Sequence, residues 1–502
     1  MRFKFDNKDS DMRRIFSFLV VMILAHLPLS AQNDPDASVK ALNYVIRNMN
    51  PIKGADRLVE DICKKFKNDP KVLVGIAESY YQAGDSSYAH KFFNRAIASD
   101  ANYLPTYIAA GDWAKDRYGR NGYEEAIEWY GKAIKVNPKD STGYIRYANI
   151  LARQGKLDAA ANKIKDILPY APDFPVNLQI ARIYSNAGKV NEAMEFYGKE
   201  KLDNLPPSDL REYATLCYLL GKNDVAIEAV KFGRQKFPQA HPIYRVGLLA
   251  FRKAENHKEA VEWGNLLITQ FDESNLIIED LYNLANSYYK LKKTNKAIEL
   301  YQRVIDFPLK DASEEAKKNK QVMCNNAYQD IAQLYVDDGE WDKAYTTYKN
   351  YCDMREKEGR PSAYVYSLWA RAYMYQAAEE NGPKKEECYN QANRIYEKIA
   401  QDFPDQANVA LENIINNCNR IDPRAERALA KPYAERLLAL LNAKEKPLSE
   451  NDTARYKLCN RYLGYYYYVS QNDKKTSIPY WRKVYEIDPN DKTARIVLGV
   501  KG

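Results

Sequence analysis

Histidine and cysteine are the residue types that most often bind transition metals, and this chain contains 4 His and 7 Cys. His90, His241 and His257 have no partner at the short spacings that zinc ligands use. The cysteines are widely separated, at Cys63, Cys217, Cys324, Cys352, Cys388, Cys418 and Cys459, and no C-x-x-C occurs. We therefore expect no metal and no cofactor, and we expect most cysteines to be small core residues on helices.

Patterns typical of catalysis are also missing from the sequence. No phosphate-binding G-x-x-x-x-G-K-[ST], no G-x-G-x-x-G after a strand, no G-x-S-x-G and no H-E-x-x-H occurs. Adjacent carboxylates such as Glu124–Glu125 and Glu379–Glu380 point about 100° apart on a helix, so they do not face one substrate. We expect no catalytic residues and a protein that is not an enzyme; a hydrolase is the alternative that a substrate panel would test.

The chemistry that the composition does favour is binding through tyrosine. The chain has 41 Tyr against 15 Phe and 6 Trp, and tyrosine suits half-buried seams and binding surfaces. The net charge is +8 over 502 residues, and acidic and basic residues alternate without long runs of one sign. This pattern indicates solvated helix faces, so we expect no nucleic-acid partner.

The N-terminal segment has the layout of a secretory signal peptide. Arg13 and Arg14 precede an apolar run over 15–25, and small residues follow up to Ala31. The run is shorter than the ~20 apolar residues of a membrane span. We expect cleavage after Ala31, with Met12 as an alternative start, and no transmembrane span in the mature chain. No cysteine stands at the cleavage point, so a lipid anchor there is not predicted.

The elements that must position these residues come from an internal repeat. Ala77 is followed by Tyr80 three residues later, by Gly84 at +7, by Ala89 at +12 and by Phe93 at +16. The first marks of the other units are Gly111, Ala148, Ala181, Ala214, Leu248, Ala285, Ala332 and Ala370, and the early steps are 34, 37, 33, 33 and 34 residues. The alanines at the second mark are Ala126, Ala160, Ala193, Ala226, Ala260, Ala297, Ala344 and Ala392. Each unit predicts two amphipathic helices that approach closely at the small residues and bury their faces only by stacking on neighbours.

This period and pattern resemble the tetratricopeptide repeat family, whose signature is L-G-x-x-Y, a later Ala, an aromatic residue and a closing Pro. The resemblance covers roughly residues 70–490 and extends more weakly to 36–68. It implies an all-α fold, a right-handed α-solenoid of about 10–11 helix-turn-helix repeats, with a concave surface formed by the first helix of each repeat.

The repeat pattern breaks at two places. After Pro308 the step from Ala285 to Ala332 lengthens to 47 residues, which predicts a long polar loop or an extended helix, with a bend between two sub-arrays as a further alternative. The predicted organisation is a signal peptide over 1–31, an N-terminal helical pair over 32–69, a repeat array over 70–309, an irregular connection over 310–320, repeats over 321–404, and degenerate repeats with a C-terminal cap over 405–502.

The resemblance also selects the residues that would line the concave groove, at one, four and five residues after the first mark. They are Glu78, Tyr81, Asn149, Arg153, Arg182, Tyr218, Asn286, Tyr289, Gln333, Arg371, Tyr375, Tyr465 and Tyr468. A family subtype grips a terminal carboxylate with Lys, Asn and Arg. Asn149 and Asn286 take the asparagine place, but Ile145 and Tyr282 stand where the lysine is required, so that clamp is not predicted.

Four consecutive tyrosines, Tyr465–Tyr468, cannot all share one helix face, because neighbours diverge by about 100°. The resemblance implies that the Tyr467 ring packs between the two helices of its repeat and that Tyr466 contacts the adjoining helix. It also implies that Tyr465 and Tyr468 line the groove. The alternative is that all four rings are shared between the last repeats.

These observations predict an exported, non-enzymatic scaffold that binds a protein or an extended peptide through its concave surface. The expected location is the periplasm, the outer membrane, where association would be peripheral, or the extracellular space. Amides can bond a peptide backbone, and tyrosine and arginine are common interface anchors. The alternative is a glycan-binding envelope protein on a similar helical scaffold, with one or two of the tryptophans as sugar platforms.

Overall fold

The structure is a computed structural model that describes residues 34–48, 56–309 and 313–500. Every regular element within these ranges is helical, and none is a β-strand. The described residues form two compact units, which are divided between Val246 and Gly247. The predicted signal peptide lies outside the described residues.

The helices of the first unit form consecutive pairs. They are α1 (Pro35–Asn48), α2 (Asp56–Lys65), α3 (Pro70–Gln82), α4 (Ser86–Ser99), α5 (Leu104–Tyr118), α6 (Tyr123–Val136), α7 (Ser141–Arg153), α8 (Leu157–Lys165), α9 (Val176–Asn186), α10 (Val190–Tyr197), α11 (Pro207–Leu219) and α12 (Asn223–Lys236). The boundary between the units falls within α13 (His241–Lys253). From α3 to α12, each first helix packs on its own second helix, and each of the second helices α4, α6, α8 and α10 packs on the next first helix.

The second unit continues with helices of more varied length. They are α14 (His257–Gln270), α15 (Ile278–Lys290), α16 (Thr294–Ile305), α17 (Glu314–Asp337), α18 (Trp341–Lys357), α19 (Ala363–Glu379), α20 (Gly382–Asp402), α21 (Ala407–Ile421), α22 (Lys431–Asn442), α23 (Glu450–Tyr465), α24 (Lys474–Ile487) and α25 (Lys492–Leu498). Consecutive helices from α15 to α25 pack on one another.

Local sequence sets the ends of the early helices. The Asp69 carboxylate accepts a hydrogen bond from the Lys71 amide at 2.8 Å, which caps α3, and Pro70 occupies its first turn. Gly84 follows α3 at φ +86°, a left-handed conformation that glycine adopts without steric cost. The Asp85 carboxylate then caps α4 by accepting from the Tyr88 amide. A hairpin of two helices therefore results from residues close in sequence.

The core of both units lies along the two small-residue marks of the repeat. Every alanine at either mark is 0% exposed, from Ala77 to Ala392. At Gly111 an added Cβ would lie 2.5 Å from Cε1 of Tyr130, so only glycine lets α5 and α6 approach this closely. The predictions of an all-α chain and of helix-turn-helix repeats are confirmed.

Tyrosine hydroxyls fix several joints between repeats. In three first helices a tyrosine hydroxyl donates to the carbonyl oxygen six residues earlier, in the turn that precedes the helix. The pairs are Tyr107 to Ala101 at 2.8 Å, Tyr144 to Pro138 at 3.2 Å and Tyr244 to Pro238 at 3.1 Å. Each bond ties the start of a first helix to the end of the preceding second helix.

The prediction of an irregular connection over 310–320 is wrong for residues 314–320. α17 begins at Glu314, capped by the Ser313 hydroxyl, which accepts from the Ala316 amide at 3.2 Å. Residues 314–320 are therefore helical, as the alternative of an extended helix expected, while 310–312 lie outside the described residues. The other predicted domain boundaries stay predictions.

Candidate functional site

The first helices present a line of polar side chains beside the core. We call the side chains of these helices that are not packed against their own second helices the first-helix face. Of the groove residues predicted from sequence, Glu78, Asn149, Arg153, Gln333, Arg371 and Tyr375 are exposed. The half-buried ones are Tyr81, Arg182, Tyr218, Asn286, Tyr289, Tyr465 and Tyr468. Their hydrogen bonds separate residues with unused groups from residues that hold the fold together.

In the first unit, two adjoining cavities lie between α7 and α9. One, of about 480 Å³, is lined by Asn149, Arg153 and Asn186 over an apolar floor that includes Ile183. The other, of about 220 Å³, shares Asn149, Ile183 and Asn186 and reaches Arg182. We call this pair of cavities the amide cleft. Two predicted groove residues, Asn149 and Arg153, thus lie together.

The polar groups of the amide cleft are largely unused. No hydrogen bond or ion pair within the described ranges involves the side chains of Asn149, Arg153 or Asn186. Two amides and one guanidinium without internal partners can hydrogen-bond the backbone and an acidic side chain of a bound peptide.

Arg182, at the inner end of the cleft, has a different role. Its guanidinium donates to both carboxylate oxygens of buried Asp209, at 2.8 and 2.7 Å. Asp209 also accepts from the Tyr197 hydroxyl at 3.1 Å. Burial raises the pKa of Asp209, but the hydrogen bonds and charge of Arg182 outweigh it, so the net pKa is lowered. Arg182 ties α9 to α11, and most of its hydrogen-bonding capacity is not available to a ligand.

Asn286 is likewise occupied within the fold. Its Nδ2 donates to the Tyr282 carbonyl at 3.0 Å, and its Oδ1 accepts from the Tyr301 hydroxyl at 3.1 Å. The Tyr282 hydroxyl donates to Asp330 at 3.0 Å. Burial raises the pKa of Asp330, against the opposing hydrogen bonds of Tyr282 and Tyr301. This cluster joins α15, α16 and α17 and explains why an asparagine stands at the groove position.

The remaining predicted residues differ in what they touch. Gln333 donates to Asp337 at 2.7 Å on its own helix. The Tyr81 ring meets the Trp113 ring edge-on at 6.1 Å and so serves packing. Although Glu78 is exposed, partial desolvation of its carboxylate and the nearby Asp112 carboxylate raise its pKa, so α3 and α5 bring two acids near each other. Burial also raises the pKa of Tyr289.

In the second unit, a cavity of about 550 Å³ lies between α19 and α21, with α20 as its floor. Its lining consists of Ala363, Tyr364, Ser367, Arg371, Met374, Tyr396, Ile399, Gln406, Val409, Ala410 and Asn413. We call it the tyrosine pocket. It occupies the same place relative to its helices as the amide cleft, between two first helices and above the second helix that joins them.

The charge of Arg371 dominates the tyrosine pocket. An Nη of Arg371 donates to the Tyr375 hydroxyl oxygen at 2.7 Å, and the guanidinium lies 5.8 Å from the centre of the Tyr375 ring. The pKa of Arg371 is raised, first by this hydrogen bond, and Tyr396 and Tyr364 contribute with the same sign. Both predicted residues, Arg371 and Tyr375, are thus found side by side.

The pocket also contains residues that sequence reasoning missed. Tyr364 is 59% exposed, and Tyr396 and Val409 complete the apolar surface. Tyr364 precedes Arg371 by seven residues, two helical turns, so helix periodicity could have identified it. Val409 lies in the region where the repeat pattern is degenerate, and no signal in the sequence points to it.

The four consecutive tyrosines fall on a break in helix geometry. Residues Tyr466–Ser470 form a π-helical turn, and the Gln471 amide donates to the Tyr466 carbonyl at 3.1 Å. All four rings are half-buried. Tyr467 stacks on Tyr480 with centroids 5.7 Å apart, which agrees with its predicted packing role. Tyr465 packs against two core clusters, so its predicted place in the groove gains no support from its contacts.

The histidines, cysteines and tryptophans of the described residues bear on other classes of site. No group of histidine, cysteine and acidic residues within the described ranges could hold a metal ion. All seven cysteines are buried free thiols, which confirms their predicted core placement. None of the six tryptophans is exposed, since four are buried and Trp341 and Trp369 are half-buried. No described helix combines the length and apolar character needed to cross a bilayer.

Comparisons with known proteins agree with the repeat pattern. Family profiles described as tetratricopeptide repeat match residues 112–172, 174–199 and 281–307. The Protein CTR9 homolog of Arabidopsis thaliana is 24% identical over 264 residues, which cover 44% of this chain and 24% of that protein. The chain thus spans about a quarter of the length of the curated relative it matches.

Three solved structures illustrate the range of similarity to this chain. The C-terminal part of a TPR repeat-containing protein from Cytophaga hutchinsonii is 19% identical, with a TM-score of 0.40, covering 58% of this chain and all (100%) of that one. The Naa15/Naa10 complex bound to HypK-THB gives 14% identity and a TM-score of 0.29, covering 92% of this chain and 64% of that one. Pseudomonas aeruginosa PilF gives 14% identity and a TM-score of 0.27, and the match covers 43% of this chain and 96% of that one.

Proposed function

Because this chain is a member of the tetratricopeptide repeat family, we propose that it is a non-catalytic scaffold that binds a protein partner through its first-helix face. The bound part of the partner is an extended segment that runs across successive first helices. Peptide recognition of this kind uses main-chain hydrogen bonds for affinity and side-chain pockets for selectivity.

The unused hydrogen-bonding groups of the amide cleft are the observation that supports this proposal most directly. Arg182 and Asn286 are half-buried and are paired within the fold, as polar groups in protein interiors normally are. Asn149, Asn186 and Arg153 are exposed and line a cavity of about 480 Å³ without internal partners in the described part of the chain, so their hydrogen-bonding groups are open to a ligand. An asparagine amide offers both a donor and an acceptor, which is what one peptide unit requires.

Capture of partners by the tagged protein in its native cells tests the proposal. We expect one or a few proteins to co-purify with the full chain and to be lost when Asn149→Ala and Asn186→Ala are combined. Glu128→Ala is the matched control, because Glu128 is exposed on the second helix α6 and has no bond in the described structure. Equal recovery of the same partner by all three proteins, or binding of oligosaccharides with no protein partner, would contradict the proposal.

We further propose that the protein is exported and acts in the cell envelope or outside the cell. Arg13, Arg14 and the apolar run over 15–25 support this, since they have the order of a signal peptide. Fractionation of cells, followed by N-terminal sequencing of the mature protein, is the test. We expect a mature chain that starts near Gln32 in the exported fraction; a cytosolic chain that keeps residues 12–31 would refute export.

A further inference from the structure

The tyrosine pocket combines one uncompensated positive charge with a mostly apolar surface. We propose that it binds an internal acidic residue of a peptide, with the carboxylate on Arg371 and an adjacent large apolar side chain on the pocket floor. This inference rests on the proposed function and specifies the chemistry of the partner at this place.

The charge of Arg371 has no acidic partner among the residues that the structure describes. None of the ion pairs in the described part of the chain includes Arg371, and the neighbours that raise its pKa are Tyr375, Tyr396 and Tyr364. The carboxylate of Glu412, which follows two pocket residues on α21, is already bound to Arg455 at 2.7 Å. Arginine binds carboxylates through paired, charge-assisted hydrogen bonds, so an acidic group is the complementary ligand.

Tyrosine hydroxyls add donors beside this guanidinium. Arg371 donates to the Tyr375 oxygen, so the Tyr375 hydroxyl proton is free to be donated elsewhere. No described residue accepts a hydrogen bond from this hydroxyl. The Tyr364 hydroxyl also has no internal partner there, and its side chain is 59% exposed. A carboxylate on Arg371 can therefore accept from tyrosine as well as from arginine.

The floor of the pocket suits an apolar side chain. Met374, Tyr396, Ile399 and Ala410 contribute mostly carbon atoms, and Val409 is 41% exposed at the rim. The volume of about 550 Å³ lies within the range of ~300–1,000 Å³ that is usual for ligand pockets. Burying an aromatic or large aliphatic side chain here would contribute affinity that a carboxylate alone lacks.

The amides beyond the pocket favour a chain that continues past the acidic residue. Gln406 directly precedes α21 and Asn413 lies on it, opposite Arg371 on α19. Asn413 donates to the Val409 carbonyl at 2.8 Å, which leaves its oxygen as an acceptor. The Gln406 side chain has no hydrogen bond in the described structure. Both can bond the backbone of a peptide that crosses from α19 to α21, so we assign an internal Asp or Glu rather than a chain end.

Fluorescence anisotropy with defined peptides tests this assignment. The first probe is a short fluorescein-labelled peptide with amidated C-terminus, in which one Phe is flanked by Asp residues. The second replaces Asp by Asn, the third replaces Phe by Gly, and the fourth carries its only carboxylate at a free C-terminus. We expect the full chain to bind the first probe about tenfold more tightly than the second and the third.

Variants of the protein localise the effect. Arg371→Gln should remove the preference for Asp over Asn, and Tyr375→Phe should weaken it while leaving binding of the Phe side chain unchanged. Arg371→Lys keeps the charge but not the paired geometry, and we expect intermediate binding. Arg482→Gln, at an exposed arginine of α24 that has no bond in the described structure, is the matched control and should bind all four probes as the unchanged chain does.

The outcomes separate this inference from the proposed function. Equal binding of the Asp and Asn probes, equal binding by the Arg371→Gln variant, or preference for the free C-terminus each overturns the inference. If partner capture still depends on Asn149 and Asn186, the scaffold proposal stands despite that result. Loss of both capture and peptide binding, with oligosaccharides bound instead, would remove the two together.

Discussion

Arg182 and Asp209 form a two-bond ion pair between successive first helices, with the Asp209 carboxylate buried and the guanidinium partly exposed. Tyr197 and Ser208 also donate to this carboxylate, at 3.1 and 3.2 Å. A charge buried in this way is tolerated because its lone pairs are satisfied. The pair therefore fixes the spacing of α9 and α11 at one end of the amide cleft.

Breaking this pair should loosen the middle of the first unit. Arg182→Gln leaves the buried carboxylate of Asp209 without its cation. We expect the free energy of unfolding to fall by about 1–2 kcal/mol, a value already reduced for the partial exposure of the arginine. Hydrogen exchange of the α9 and α11 amides measures it. Arg153→Gln, with no internal partner, is the control and should change the exchange little.

The same variant should show a defined pH dependence. Since the pKa of Asp209 is lowered in the folded chain, its contribution is present above the ordinary value of 3.8 and is lost as the pH falls through the folded pKa. The stability difference between the unchanged chain and Arg182→Gln should be full near neutral pH and shrink in acid. A difference that grows in acid would contradict this account.

Adding one methyl group at the first repeat mark of α5 should be costly. Gly111→Ala places a Cβ 2.5 Å from Tyr130, and over-packing of this kind costs about 1–3 kcal/mol. Gly131→Ala on α6 is the control, because nothing lies within 4 Å of its added Cβ, and it should stabilise by about 0.5–1 kcal/mol. Thermal denaturation compares the two; equal melting temperatures would refute close packing at Gly111.

The half-buried carboxylate of Asp330 should limit stability at neutral pH. Burial raises the pKa of Asp330 above its ordinary value of 3.8, so the folded chain keeps the Asp330 proton to a higher pH than the unfolded chain does. The free energy of unfolding therefore falls as the pH rises from 3.8 to the pKa of the folded chain. Asp330→Asn keeps an acceptor for the Tyr282 hydroxyl and removes the charge. We expect it to melt higher than the unchanged chain at neutral pH and alike in strong acid, whereas exposed Glu387→Gln should have no such effect.

The cysteines should resist thiol reagents while the chain is folded. Burial raises the pKa of Cys217 and Cys418 to about 11 and that of Cys352 and Cys459 to about 12. At about pH 8 these thiols are therefore protonated as well as shielded. Ellman's reagent should react slowly with the native protein. In denaturant it should react rapidly with all seven thiols. Rapid native reaction of several thiols would show that the core is open.

The part of the fold that follows from sequence is the part encoded by local spacing. Ala77 and Ala89 predict a close helix contact because only small side chains permit it, and both are fully buried. The same reasoning placed Asn149 and Arg153 on one surface. It did not distinguish them from Arg182 and Asn286, since the partners of the latter, Asp209 and Tyr301, come from other helices.

Irregular features were harder to predict for a related reason. The extended helix α17 and the region that contributes Val409 depart from the repeat, so the period gives no register for their side chains. The π-helical turn depends on how the tyrosine rings near Tyr467 pack against Tyr480, and such packing is decided by the assembled neighbours.

That turn has a consequence for the end of the chain. A π turn adds one residue to a helical turn, so side chains within it are displaced from the places that an uninterrupted α-helix would give them. Because the chain leaves α23 through this turn, the residue numbering of the earlier repeats does not give the place at which α24 starts. Any repeat grafted after Ser470 would have to be designed from the geometry of this turn, with its own count of residues.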